Sequence, residues 1–451
     1  MLRSFRVANH RSFRDEAELL LLPAYDKSRP VVPVTGIFGA NASGKSNLLD
    51  ALRWLQAAVR ESYAQWEPGT GIPRTPFRLD PDASANPSTY CVELILDDVR
   101  YTYGVELDDH RIIEEWLYSY PHNRRRVIFD READGLRLGS TVPDHRTRAE
   151  QLARQTRNNA LALSVAAHND LTDVQPVYEW FRSALAFADP AAATGAELRQ
   201  RLNDEAQRAA IVELISAADL GISDLGTHLD RDQIASVWGE LVKLARHMDE
   251  SAELSAVTKA QVRRVLASHR QDDPEIQWEI FSELFGTRRD HPPATLHFYH
   301  GTSRVPLGLD EQSAGTRSWI GLVSAALDVV VAGGLLVVDE VDASLHPHLT
   351  ARLISLFRDR EANPEGAQLL FTTHDATLLD NDTLGRDEVW FVDKDPSTGA
   401  TRLYPLTDFH PRKNEDIQGR YLAGGYGAVP ILADYRFRRA AGSERARDAA
   451  A

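Results

Sequence analysis

The chain has 451 residues, of which 43% are hydrophobic and 26% charged, and its formal net charge is −15. That length allows two or three packed units, and the acidic balance excludes a basic footprint for nucleic acid over the whole surface, leaving only local patches open. One cysteine, Cys91, excludes an internal disulfide framework and fits a reducing compartment. It lies in a strand-like run and reads as a small core residue.

In chain order, the N-terminus predicts a strand with a turn at Asn9-His10, a second strand over 17–22, and an apolar strand over 31–38 broken by Pro33. A glycine-rich loop and a helical run from Asn47 follow. The Pro/Gly-rich segment 66–81 reads as irregular surface chain. Alternating apolar residues then predict strands over 89–96 and 100–107, joined by a turn at Asp97-Asp98, and further strands over 112–120 and 126–130. From 146 to 291 the spacing becomes helical, with helices expected over 196–218, 234–247 and 257–269. A strand over 295–300 brings the chain back to the sheet. Helices over 315–331 and 347–359 then alternate with strands over 335–338 and 368–372, the pattern of parallel strands with helical crossovers, before a hairpin over 388–404. The apolar stretch 322–338 is interrupted by Asp328 and Gly333-Gly334, so it predicts a buried helix, turn and strand, and no membrane is expected as a partner. The first residues mix charge into apolar positions and carry no targeting signal, so the expected location is cytoplasmic. The expected organisation is an N-terminal lobe over 1–145, a helical insertion over 146–294, a C-terminal lobe over 295–430 and a disordered tail over 431–451.

The loop Gly39-Ala40-Asn41-Ala42-Ser43-Gly44-Lys45-Ser46, with Asn47 opening the helix, is a complete G-x-x-x-x-G-K-S phosphate-binding loop in the required strand–loop–helix context. Its glycines let successive N–H groups converge on a phosphate, Lys45 places a cation on the β- and γ-phosphates, and the Ser46 hydroxyl ligates Mg²⁺. The run Leu335-Leu-Val-Val-Asp339-Glu340 has the form of a Walker B strand. Asp339 would support the metal and Glu340 would orient or deprotonate the attacking water. Phe371-Thr-Thr-His374-Asp375 ends a strand at a histidine placed to sense a γ-phosphate, although a lone strand-end histidine is more often bonded to backbone. Between these lies the turn Ser344-Leu345-His346, which could cross a dimer interface. Upstream, Ser313-Ala314-Gly315 is a small-residue turn at a helix start, a second anion site that has a task only if it caps the phosphate held by another subunit.

In this order the motifs resemble the head of ABC-type ATPases, with about 290 residues between Lys45 and Asp339, as an inserted arm requires. Asn9-His-Arg-Ser-Phe and the phosphate loop resemble the RecF/SMC/OLD-like group within that class. Glu311-Gln-Ser-Ala-Gly-Thr, Asp339-Glu-Val-Asp-Ala-Ser-Leu-His-Pro, Thr372-Thr-His-Asp and the stretch from Asp416 to Pro430 look most like the AbiL/RloA-type ATPases of bacterial phage-defence loci. The resemblance implies an α/β fold, an ABC-type (RecF/SMC-like) head with an antiparallel β subdomain and a compact helical insertion. It also implies ATP and Mg²⁺ as cofactors, a head-to-tail homodimer open to higher assembly, and a separate effector of the nuclease-like RloB/AbiL type. Arg11 and Ser12 are candidate phosphate contacts by resemblance only, a surface strand end being the equal alternative. A RecF/SMC-like ATPase acting directly on DNA is the alternative. The turn Ser-Ala-Gly-Thr departs from the transporter's Leu-Ser-Gly-Gly-Gln, and no Q-loop glutamine is evident, the region from Thr75 to Asp80 being where one would be sought.

Two features read as decoys, and one basic run stays open. Asp393-Lys-Asp395 imitates a nuclease metal motif, but 77 residues follow His374, short of an added domain, and Asp395 reads better as a hairpin turn. His346 and His348 lack further ligands at metal spacing. Arg124-Arg125-Arg126 could touch nucleic acid, solvated charge being the commoner use of such a run.

Overall fold

The computed structural model describes residues 1–189, 205–218, 220–229, 294–303 and 305–430, with a few single positions between 190 and 293. The expected helices over 234–247 and 257–269 fall mostly, and the tail over 431–451 wholly, outside the described residues. The chain forms two compact units, Met1–Pro190 with Ala325–Ala451, and Ala191–Ser324.

The first unit contains two sheets. One has seven antiparallel strands in the order β2-β1-β4-β5-β6-β7-β8. These are β1 (Leu2–Ala8), β2 (Ala17–Leu20), β4 (Ser88–Leu96), β5 (Val99–Leu107), β6 (Ile112–Tyr120), β7 (Arg126–Glu132) and β8 (Gly135–Leu138). The turn between β4 and β5 is tight because Asp97 and Asp98 both take positive φ, the left-handed geometry that a two-residue hairpin demands. The other sheet has six strands in the order β15-β14-β3-β13-β12-β9. Here β3 (Val34–Phe38), β9 (Leu185–Ala188), β12 (Leu335–Val338), β13 (Gln368–Thr373) and β14 (Val389–Lys394) run parallel, and β15 (Thr401–Pro405) closes the edge as an antiparallel hairpin. Strands β3, β12 and β13 are buried at every position, as parallel strands covered on both faces must be.

The helix Lys45–Glu61 buries Leu48, Leu49, Leu52, Leu55 and Val59 at helical spacing. These side chains share one core with Phe5, Val92 and Tyr103 of the antiparallel sheet and with Ile37, Val337 and Leu370 of the parallel one. Gln368, at the start of β13, ties the parallel sheet to the first residue of β1. Its side chain accepts the Leu2 N–H at 2.6 Å and donates to the Leu2 carbonyl at 2.9 Å, standing in for a missing strand rung.

The structure draws the first boundary later than the sequence spacing does. The helices His145–Gln155 and Ala162–His168 and strand β9, expected within the insertion, belong to the first unit. Their Leu152, Leu161, Leu163, Val165 and Leu185 join its core, so tertiary burial overrides a composition that looked like free-standing helices.

In the second unit, the helix Glu205–Ser216 accompanies a two-stranded antiparallel sheet of β10 (Ile222–Leu229) and β11 (Ala294–His300). Strand β11 was expected to rejoin the main sheet and instead pairs with β10. The helix Ala314–Ala332, which passes from the second unit to the first after Ser324, is long and apolar enough to cross a membrane by length and composition, and over half of its apolar window is buried.

Candidate nucleotide site

Strand β3 delivers the chain to Gly39, and the helix starts at Lys45. Gly44 has φ 114, a value that excludes ordinary side chains, and a Cβ there would lie 2.3 Å from Thr401 Oγ1. A Cβ on Gly39 would meet the Val392 carbonyl oxygen at 2.4 Å. The loop is therefore pressed against β14 and β15, and only glycine fits at either end.

Lys45 is buried, and its ammonium donates to the carbonyls of Gly39 at 2.7 Å and Ala40 at 3.2 Å. Burial lowers its pKa, while Glu340, Asp339 and Asp342 pull the other way. The same ammonium lies 3.3 Å from His374 Nδ1, and His374 Nε2 lies 3.4 Å from Glu340 Oε1. An ammonium only donates, so Nδ1 accepts and the ring proton sits on Nε2, facing the carboxylate. Lys45, His374 and Glu340 thus form one line of contacts.

Beside that line, the Ser46 hydroxyl donates to Asp339 Oδ1 at 3.1 Å. Thr372, at the end of β13, aligns both acids: its hydroxyl donates to Asp339 Oδ1 at 2.5 Å and accepts the Glu340 N–H at 2.7 Å. Glu340 adopts φ 49, an uncommon left-handed value for a residue of its kind, costing on the order of 1 kcal/mol and held by that bond. Asp342 accepts the His374 N–H at 3.3 Å, joining the Walker B turn to the histidine strand. Further along, Ser344 has φ 64, the Leu345 N–H donates to the Asp342 carbonyl, and His346 caps the helix Pro347–Arg358 by accepting the His348 N–H at 3.2 Å. The capping contact accounts for the His346–His348 pair, and no metal-holding group of three or more His, Cys, Asp or Glu occurs among the described residues.

On the other flank, Asn47 Nδ2 donates to Ser12 Oγ at 2.6 Å. Thr401 Oγ1 lies 2.7 Å from Ser12 Oγ and 2.8 Å from the Ser43 carbonyl oxygen. A carbonyl only accepts, so Thr401 gives its proton to Ser43 and receives that of Ser12. The Arg11 guanidinium pairs with Asp50 at 2.6 Å, and His10 contacts the same carboxylate at 2.9 Å. The segment from Thr75 to Asp80 contains no glutamine, and its Thr75 carbonyl accepts the Arg11 N–H at 2.7 Å.

Ser313, Ala314 and Gly315 belong to the second unit, and Ser313 precedes the helix Ala314–Ala332, whose residues from Ala325 on belong to the first. Ser313 Oγ accepts the Thr316 N–H at 3.1 Å and shares a 2.8 Å hydrogen bond with the Thr316 hydroxyl. Asp395, the nuclease decoy, accepts from Ser397 N, Ser397 Oγ and Thr398 N and pairs with Arg402. It is a saturated turn residue.

The residues fit a Mg²⁺·nucleotide. A hydroxyl and a carboxylate, Ser46 and Asp339, present hard oxygens side by side, as few protein ligands as Mg²⁺ usually takes. The buried Ser43 hydroxyl has no hydrogen-bond partner. Thr372 and Thr401 were missed in the sequence. Their signal was weak, a hydroxyl at the end or start of a strand bordering the site.

A parallel sheet carrying a phosphate loop at the end of β3 and a Walker B pair at the end of β12, backed by an antiparallel sheet, defines an α/β nucleotide-binding head. Residues 34–380 match the family described as "AAA domain, putative AbiEii toxin, Type IV TA system", and the chain belongs to that family. No curated protein matches the chain. Among solved structures, one titled "Crystal structure of the SmcHead bound to the C-winged helix domain of ScpA" is similar at 11% identity and a TM-score of 0.38, covering 91% of this chain and 99% of that one.

Proposed function

We propose that the chain is an ATP hydrolase that works as an ATP-gated homodimeric switch of the AbiL/RloA type, controlling a separate nuclease-like effector in anti-phage defence. The observation behind this reading is the line Lys45–His374–Glu340 beside the Ser46–Asp339 pair. The backbone N–H groups of residues 39–47 and the Lys45 ammonium bind and orient the β- and γ-phosphates. Ser46 and Asp339 hold Mg²⁺, which neutralises phosphate charge when bound. Glu340 accepts a proton from the attacking water, and His374 registers the γ-phosphate. The Gly39 and Ala40 carbonyls hold the Lys45 ammonium against the loop that would bind the phosphates.

Ser313, Ala314 and Gly315 would complete the site of the partner subunit, with the turn Ser344-Leu345-His346 at the seam. Two such half-sites complement each other under two-fold symmetry. ATP then favours the closed dimer until hydrolysis releases it. The test is Glu340→Gln, whose mass in solution is measured by light scattering with and without ATP·Mg²⁺. A dimer with ATP that Lys45→Ala does not form is expected, and a monomer throughout would sink the switch. Affinity capture of tagged Glu340→Gln from its host should bring down a stoichiometric nuclease-like protein. Recovery of the ATPase with duplex DNA alone would move the reading to a RecF/SMC-like ATPase.

A further inference from the structure

The antiparallel sheet packs only one face into the core. Along β6, Glu115, Leu117 and Ser119 are buried, and the alternate residues Trp116, Tyr118 and Tyr120 are half-exposed on the opposite face. Trp116 lies flat on β5, because Gly104 opposite it has no side chain; a Cβ there would come 2.1 Å from the indole. The three rings therefore form a row at every second residue, about 7 Å apart along the strand.

Guanidinium groups border one end of this row. Arg100, paired across the ladder with Tyr120, stacks 3.9 Å over that ring, and Arg125 stacks 3.8 Å over Tyr118. Arg124 and Arg125 are exposed in the turn that follows β6, where His122 and Asn123 both have positive φ. None of Arg100, Arg124 and Arg125 forms an ion pair among the described residues. By contrast, Arg126 pairs with Asp173 at 2.5 Å, Arg3 with Glu93 at 3.5 Å and Arg6 with Glu18 at 3.9 Å. Two buried polar atoms on the same face, Arg100 Nε and Thr102 Oγ1, have no hydrogen-bond partner. Glu106 lies opposite Glu114 beyond the other end of the row, and Asp130 lies beside it, paired across the ladder with Trp116 and accepting from the Tyr118 hydroxyl at 2.6 Å.

We infer that this face binds single-stranded nucleic acid, with bases stacking on Trp116 and on the Tyr118–Arg125 and Tyr120–Arg100 pairs, and phosphates at Arg100, Arg124 and Arg125. Three unpaired guanidiniums on a chain of net charge −15 ask for an anionic partner. Flat rings and guanidinium planes at regular intervals favour one with exposed π-faces. A duplex hides its base faces and cannot use the row. The binding is separate from the nucleotide site and goes beyond the switch proposed above.

The experiment is fluorescence anisotropy of the full chain with labelled oligo-dT and oligo-U of about twenty nucleotides and a duplex of equal length, over a salt series. Single strands should bind more tightly than duplex. Three phosphate contacts predict a slope of log K against log salt of about −2. Trp116→Leu should weaken binding at least about tenfold with the slope unchanged, and Arg100→Gln with Arg125→Gln should remove about 1.4 from the slope. Thermal unfolding and ATP binding report whether each variant is folded, and Tyr120→Leu replaces Trp116→Leu if the latter is not. The dT and U arms decide between DNA and RNA as the source. Equal or tighter duplex binding, no effect of either ring variant, or no binding at low salt overturns the inference, the last in favour of a protein partner on the same rings.

Discussion

Thr401 and Thr372 hold the nucleotide site in register, Thr401 from outside every motif and Thr372 from two residues before His374. The Thr401 hydroxyl supplies the Ser43 carbonyl with its donor, and its N–H donates to the Ser12 carbonyl at 2.8 Å, so the loop Gly39–Lys45 is fastened to the first residue of β15. Removing that hydroxyl leaves a buried carbonyl unpaired, at about 1–3 kcal/mol. Because the loop gains its phosphate contacts only in that geometry, Thr401→Val should raise the KM for ATP about tenfold while changing kcat less than about threefold. Thr401→Ser should restore both. Steady-state turnover together with direct ATP titration separates this from plain destabilisation: a lower melting temperature with unchanged KM would make Thr401 structural only. Lys45, Ser46, Asp339, Glu340 and His374 were legible in the sequence because phosphate chemistry fixes residue type and spacing within short motifs. The threonines were not, because Thr401 meets Ser43 across 358 positions and Thr372 meets Asp339 across 33. No local pattern encodes such a meeting. The pairing of Arg11 with Asp50, 39 positions on, is likewise one that no local pattern encodes.

Among elements, the short helix Ala162–His168 depends on a buried charge. Glu115 projects from β6 into the core, where it accepts the N–H groups of Ala162 at 2.6 Å and Leu163 at 2.9 Å and the Tyr103 hydroxyl at 3.1 Å. Arg131 stands 3.6 Å away and donates to the Ala160 carbonyl at 2.6 Å. Burial raises the Glu115 pKa, opposed by Arg131, and burial lowers that of Arg131. Each charge is tolerable only because the other is present. Glu115→Ala should therefore cost about 3–5 kcal/mol in urea unfolding, since it strands Arg131 and two helical donors. Glu115→Leu combined with Arg131→Met should recover a large part of that loss. A single variant within about 1 kcal/mol of the parent would show that water compensates the pair. Strands whose environment is uniform were read closely: β12 begins and ends at the expected residues because all four of its side chains are apolar and buried. Strand β9 was not seen, because four residues after a helical stretch carry no period, and only pairing with β12 makes them a strand.

At the scale of the molecule, the parallel sheet is assembled from chain segments as far apart as β3 and β15, so the phosphate loop, the Walker B pair and the histidine strand meet only when both ends of the chain fold together. All of those residues belong to the first unit, and Ser313, Ala314 and Gly315 belong to the second. If each ATP site is built from the first unit of one protomer and the second unit of its partner, two different lesions should compensate. Lys45→Ala destroys the phosphate loop and leaves the Ser313 turn intact; Ser313→Arg blocks the turn and leaves the loop intact. Each alone should lack ATP turnover. In an equal mixture each mixed pair has one site made entirely of intact parts, so part of the parent turnover should return, at most about half. Recovery should also follow the mixing ratio, with its maximum at equal amounts, because only the mixed species contributes. If the Ser313 turn serves its own chain, mixing restores nothing at any ratio, and the site must be complete within one protomer.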